Sequence, residues 1–194
     1  MRAAGLAEWR YQLLPVAPEL FSETVGALAD SGFRAINVTI PHKQAALSLA
    51  DDASDTATAI GAANVLVFGG GGAIRAENTD ASGLLAALPS APAGRSALVL
   101  GAGGSARAAV WALLRAGAEV RVWNRTPERA RALCAELGGS PSEVIEPAEL
   151  LVNCTSIGLD ASGDFFKQLP ITADSPSTSR MSSRTWKARP TAWA

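Results

Sequence analysis

The 194-residue sequence predicts an α/β protein of two domains, the second built on a parallel sheet with helices packed against it. Three observations predict it. Apolar runs of strand character alternate with amphipathic runs along most of the chain. The stretch "APAG" at residues 91–94 reads as a linker and divides that pattern in two. Beyond it strand and helix alternate strictly, which implies parallel strands joined by right-handed crossovers. A hydrophobic fraction of 48% is enough to bury a sizeable core.

In chain order, "EWRYQLLPV" reads as a strand. "PELFSETVGALADSG" reads as a helix with Leu20, Phe21, Val25, Leu28 and Ala29 on one face and Gly32 as its stop. "FRAINVTI" is the next strand, rich in β-branched side chains. Pro41 ends it and sits in the first turn of a short helix, "PHKQAALSLA". "AANVLVF" and "AIRAENTD" are strands joined by the glycine run Gly69 to Gly72, a hairpin tip with no function of its own. "ASGLLAALPS" is a helix ending at Pro89. After the linker come the strand "SALVLG", the helix "GSARAAVWALLRAG", the strand "AEVRVWN", the helix "TPERARALCAELGG" and the strand "AELLVNCTS". From Ser175 the chain is rich in Ser, Thr, Arg and Pro, has no apolar period and predicts neither strand nor helix. The expected division is 1–88, 89–174 and a disordered tail at 175–194.

The formal net charge is −1, so no basic face for a nucleic acid is expected. No apolar run reaches bilayer length, because Arg107 and Arg115 interrupt the best candidate, and no membrane partner is expected. Glu8 and Arg10 fall where a signal peptide needs an apolar stretch. Cys134 and Cys154 fit two reduced, buried thiols, and the expected location is cytoplasmic. No metal site is expected.

The strand–loop–helix "LVLGAGGSARAAV" spaces Gly101, Gly103 and Ala106 as G-x-G-x-x-A, the pattern of a Rossmann-like dinucleotide site. Gly101 permits the tight turn, Gly103 lets the backbone approach a pyrophosphate, and Ala106 lets the helix lie close to the strand. The amides and dipole at the helix start would hold phosphates, so Gly101, Ala102, Gly103, Gly104, Ser105 and Ala106 form the expected cofactor loop. An NAD site carries Asp or Glu about 20 residues after the glycines, on the ribose 2′-hydroxyl. Asn124, Arg125 and Thr126 hold that place instead. An arginine pairs with a 2′-phosphate that an acid would repel, so the expected cofactor is NADP(H). Taken alone, Arg125 also reads as an ordinary exposed arginine at a helix start.

His42 is the chain's one histidine, and Lys43 is one of three lysines among 17 basic residues. They stand together where a strand stops and a helix begins. By themselves they read as a histidine that caps or packs and a solvated lysine.

The pieces "NVTIPHK", "GAANVL", "ENTDASG", "GAGGSARA", "NRT" and "NCTSIG", in this order and approximate spacing, resemble the shikimate dehydrogenase family over Ala35 to Leu159. The resemblance implies an NADPH-dependent reduction of 3-dehydroshikimate to shikimate, in aromatic amino-acid (chorismate) biosynthesis. It also implies a substrate domain and a nucleotide domain with the active site in the cleft between them. The lysine of "PHK" is the family's central catalytic group, which gives that role to Lys43, paired with Asp80 of "NTD". Thr39 and Asn64 match residues that hydrogen-bond substrate hydroxyls. Thr155, Ser156 and Ile157 match the stretch against the nicotinamide. The chemistry is coherent: hydride delivery to a ketone leaves an alkoxide, and a lysine beside a carboxylate can give it a proton. Close alternatives are a quinate/shikimate dehydrogenase and a non-catalytic remnant of such an enzyme.

The family pattern also has a preceding strand with a Ser-x-Ser pair for the substrate carboxylate. After the matched region it has a further strand, a tyrosine, a glutamine and closing helices. The chain is expected to lack both regions. The codons allowed by "MSSRTW" (Met181 to Trp186) would read Val-Val-Ala-Asp-Leu in another frame, which suggests a shifted frame after about Asp174. The accompanying expectation is little or no shikimate dehydrogenase activity.

Overall fold

The structure, a computed structural model, describes residues 9–156 and 185–187. The first sheet holds β1 (Ala35–Asn37), β2 (Asp52–Ala53), β3 (Val65–Phe68) and β4 (Ile74–Glu77), in the order β1-β3-β4-β2. β3 runs antiparallel to β1 and β4, and β2 runs parallel to β4. With it lie α1 (Phe21–Asp30), α2 (Lys43–Leu49), α3 (Asp55–Ile60) and α4 (Asp80–Ala87). Phe21 and Val25 of α1 pack on Val38, Ala46, Leu66 and Phe68 to form this unit's core.

The second sheet holds β5 (Ser96–Leu100), β6 (Glu119–Trp123), β7 (Ser140–Ser142), β8 (Leu150–Asn153) and β9 (Thr185–Lys187). Its order is β7-β6-β5-β8-β9 and every pairing is parallel, as the strict alternation of elements requires. α5 (Gly104–Arg115) and α6 (Pro127–Leu137) are its crossovers. β5 is central and buried on both faces. Val99 joins Val110, Leu113, Val122, Leu133 and Val152 on one side, and Leu98 and Leu100 join Trp123, Ile145 and Leu151 on the other. Leu98 and Leu100 are fully enclosed, so truncating either to Ala should cost about 2–5 kcal/mol. No helix among the described residues is long and apolar enough to cross a membrane.

The backbone corrects several expectations. Residues 9–16, expected as a strand, are irregular, and Trp9, Tyr11, Leu13 and Leu14 are exposed. A strand needs a ladder partner, and none of the described strands pairs with this segment. β1 is shorter than "FRAINVTI": after the bond from Val38 N to the Asn64 carbonyl, the chain turns, with His42 N donating to the Thr39 carbonyl. Pro41 therefore stands in that turn and not inside α2. β2 and α3 occupy "DDASDTATAI", where no element was expected. β7 is an edge strand that tolerates Pro141 in its middle. Finally, the tail contains a strand: Thr185, Trp186 and Lys187 pair with Leu151, Val152 and Asn153. Thr and Trp are strand-favouring residues, and an open parallel edge supplies the pairing that composition did not reveal.

Candidate active site

Lys43 opens α2, and the segment before it is fixed by His42. That ring stacks on Phe21 with centroids 4.4 Å apart, and its Nε2 donates to the Val16 carbonyl at 2.9 Å. Lys43 itself is only 8% exposed. Burying an ammonium is costly unless its donors are satisfied. Nζ donates to Asp80 Oδ2 at 2.7 Å and to Ser105 Oγ at 2.9 Å. An ammonium has three N–H groups, and no third hydrogen bond is formed among the described residues.

Asp80 is held as firmly from its own side. The Asn78 side chain accepts from the amides of Asp80 (3.0 Å) and Ala81 (3.4 Å), capping α4, and donates to the Ala62 carbonyl at 2.8 Å. Asn64 Nδ2 donates to Thr79 Oγ1 and to Asp80 Oδ1, both at 2.9 Å, while its Oδ1 accepts from Thr79 N. The carboxylate thus sits at the start of α4, where the helix dipole favours negative charge. Lys43, Asn64 and Asp80 form one network. Thr39 lies on the exposed turn before α2, and its side chain joins no hydrogen bond among the described residues. Asn78 and Thr79 were not singled out from sequence, although Asn and Thr before a helix carry a capping signal.

The glycine loop meets this network from the second sheet. Gly101 has φ 108°, and a β-carbon there would lie 3.1 Å from the Cys154 carbonyl group. The tight turn expected of Gly101 is therefore enforced twice, by dihedral and by crowding. A β-carbon on Gly103 would meet nothing within 4 Å, so that side of the loop is open. Ala106 is fully buried in the packing of α5 on the sheet. Ser105 turns its hydroxyl toward Lys43, which its place in a phosphate loop did not foretell.

β6, β5 and β8 end side by side, with Leu100 in register with both Trp123 and Asn153. Gly101 N donates to the Trp123 carbonyl and Cys154 N to the Leu100 carbonyl, both at 2.8 Å. The carboxyl ends of three parallel strands thus present Gly101, Asn124 and Cys154 together, the place where open α/β sheets form their crevice. Asn124 Nδ2 donates to the Thr126 carbonyl at 2.9 Å. Arg125 is exposed, with no hydrogen bond or ion pair among the described residues. Thr155 donates twice to Asn153 Oδ1, from N at 3.0 Å and from Oγ1 at 2.7 Å, and Ser156 is exposed beside it. Ile157 lies outside the described residues. Both cysteines are free. Burial pushes the Cys154 thiol up to about 12, with Asp80 adding to the rise and Lys43 opposing it, so the group beside the ion pair is a neutral thiol at physiological pH.

Comparison with known proteins points one way. Residues 1–66 match the family model described as shikimate dehydrogenase substrate binding domain, and residues 86–156 match that described as shikimate / quinate 5-dehydrogenase. The NADP(+) shikimate dehydrogenase of Acidiphilium cryptum is 47% identical over 158 residues, which cover 77% of this chain and 57% of that protein. The chain thus spans a little over half the length of that relative. The structure of shikimate 5-dehydrogenase from Thermus thermophilus in complex with NADP(H) and shikimate superposes with TM-score 0.65 at 42% identity, covering 74% of this chain and 56% of the other. Shikimate dehydrogenase from Aquifex aeolicus gives TM-score 0.73 at 35% identity, covering 85% and 64%.

Proposed function

The chain belongs to the shikimate dehydrogenase family, and on that premise we propose that it is an NADP-linked oxidoreductase interconverting 3-dehydroshikimate and shikimate. The observation that carries the proposal is the Lys43–Asp80 ion pair, which touches Ser105 of the glycine loop and leaves one lysine N–H for a substrate oxygen. The residues present suit a dinucleotide. The open side of Gly103 leaves room for a phosphate against the backbone, the first amides of α5 point to the same loop, and Arg125 is exposed at the end of β6. In this reading Gly101 to Ala106 hold the pyrophosphate, Asn124, Arg125 and Thr126 the adenosine 2′-phosphate end, and Thr155, Ser156 and Ile157 the nicotinamide end.

Bound NADPH would supply the hydride, or NADP⁺ accept it. The chain's own part is the proton and the alignment. Lys43 gives a proton to the oxygen that becomes an alkoxide on reduction and takes it back on oxidation. Asp80 keeps the ammonium in place, and Asn64 and Thr39 bind the neighbouring hydroxyls. Holding both reactants in one geometry removes much of the entropic part of the barrier. Residues 1–88 serve as the substrate unit and 89–174 as the nucleotide unit of an enzyme working in the cytoplasm in aromatic amino-acid biosynthesis.

A second reading, quinate as substrate, is supported by the description of the model matched at residues 86–156. One panel separates the readings: prolonged incubation of purified protein with NADP⁺ or NAD⁺ and with shikimate or quinate, followed by mass spectrometry of the products. The proposal predicts 3-dehydroshikimate from the NADP⁺–shikimate pair ahead of all others, at the low turnover expected from the sequence, which is why the incubation is prolonged. Product only from quinate, or only with NAD⁺, would refute it.

A further inference from the structure

Arg107 lies in the body of α5 and is 8% exposed. A guanidinium so enclosed needs its N–H groups satisfied. Nε donates to the Ile60 carbonyl and Nη2 to Glu136 Oε2, each at 2.6 Å. One side chain therefore ties α5 to the end of α3, in the first sheet's unit, and to α6 behind it.

The contact is built from both sides. Gly61 caps α3 with φ 72°, and a β-carbon there would lie 2.4 Å from Arg107 Nη2. From Ile60 the chain runs directly to the lysine: Ala62 receives the Asn78 amide, and Ala63 N donates to the Lys43 carbonyl at 2.8 Å. On the other side, the first turn of α5 carries Gly104 and Ser105, which touch Lys43. The seam between is lined by Ile60, Ala62, Ala81, Ala108 and Ala112. The alanines among them, Ala62, Ala81, Ala108 and Ala112, permit close approach but resist sliding weakly, whereas a two-point guanidinium contact fixes position.

We infer that Arg107 is a positioning residue: by pinning the end of α3 to α5, it sets the spacing at which Lys43 meets Ser105 and the glycine loop. The inference rests on the role proposed for Lys43, but its test reads lysine protection and not turnover. A protein that failed to bind nucleotide would refute the proposed function while the lysine readout still decided this one.

Purified protein and the variants Arg107→Met, Arg107→Lys and Glu136→Gln are pulsed with an amine-acylating reagent, and modification at Lys43 is followed by mass spectrometry. Circular dichroism and NADP⁺ titration run in parallel. In folded Arg107→Met, Lys43 should acylate at least about tenfold faster, reflecting a more frequent opening of the seam. NADP⁺ affinity should stay within about threefold, since the loop amides are unchanged. Arg107→Lys should fall between, because one ammonium cannot reproduce the fork. Glu136→Gln should stay near the parent, because the glutamine carbonyl can still accept from Nη2 and the bond to the Ile60 carbonyl remains. Unchanged Lys43 protection in the folded Arg107 variants would overturn the inference. So would failure of both Arg107 variants to fold, which would make Arg107 a core residue and not a tether.

Discussion

Gly104 and Lys43 stand so close that a β-carbon on Gly104 would lie 2.6 Å from the Lys43 β-carbon and 3.4 Å from that of Ala62. The second glycine of the "GG" pair thus serves the lysine of the first sheet's unit. Glycine suits this position because the loop backbone lies directly against the base of the Lys43 side chain, which brings the proposed phosphate loop up to the proposed proton donor.

Gly104→Ala should therefore damage chemistry more than folding. Overpacking of this kind costs about 1–3 kcal/mol, readable as a lower melting temperature. The displaced lysine should cost about 100-fold in hydride-transfer rate, the scale of a 1 Å misplacement. A variant with the parent's melting temperature and rate would show that the contact is not close in solution.

Arg125→Ala should weaken NADP⁺ and spare NAD⁺. A charge-assisted hydrogen bond to the 2′-phosphate contributes about 1.5–3 kcal/mol. That is roughly one to two decades in affinity. Parallel fluorescence titrations of both cofactors measure it, and equal losses would show that Arg125 does not read the phosphate.

Acid should loosen the second sheet through Glu149. Its carboxylate accepts from the Ser96 amide at 3.0 Å and from Arg95 Nε at 3.5 Å. The Ser96 amide, then Arg95, hold it below the usual carboxylate range. A pKa depressed by folding gives stability that is present above the unfolded value of about 4.3 and is lost as pH falls through the folded one. Glu149→Gln should flatten this acid limb in melts recorded from neutral pH downward. A slope identical to the parent's would mean the contact contributes nothing.

Much of the second sheet was legible because β5 is buried on both faces, so "SALVLG" is apolar without interruption. α3 was not. "DTATAI" has no strong helical character of its own and is shaped by its context: the Ser54 cap, which accepts from Ala57 N, the left-handed Gly61, and packing against α5. "EWRYQLLPV" has strand composition, but composition does not reveal whether a pairing edge is present. At the site, Lys43, Asp80 and the glycines could be singled out because motifs carry them. The partnership of Lys43 with Ser105 spans 62 positions and two sheets, so no local spacing could announce it. Arg107 looked like an ordinary helix arginine that broke an apolar run, and only burial gives it a role.

The central claim is that Lys43, held by Asp80 and Ser105, handles the proton of an NADP-linked alcohol oxidation. A single-turnover reaction tests it most directly, because slow release or weak binding then matters little. Protein in excess over NADP⁺ is mixed with saturating shikimate, and NADPH is followed by its absorbance in the parent and in Lys43→Ala. The account predicts NADPH in the parent, a rate lower by at least about 100-fold in Lys43→Ala, as general acid–base groups contribute, and the same NADP⁺ affinity in both. No NADPH in the parent, or equal rates in the two proteins, would contradict it.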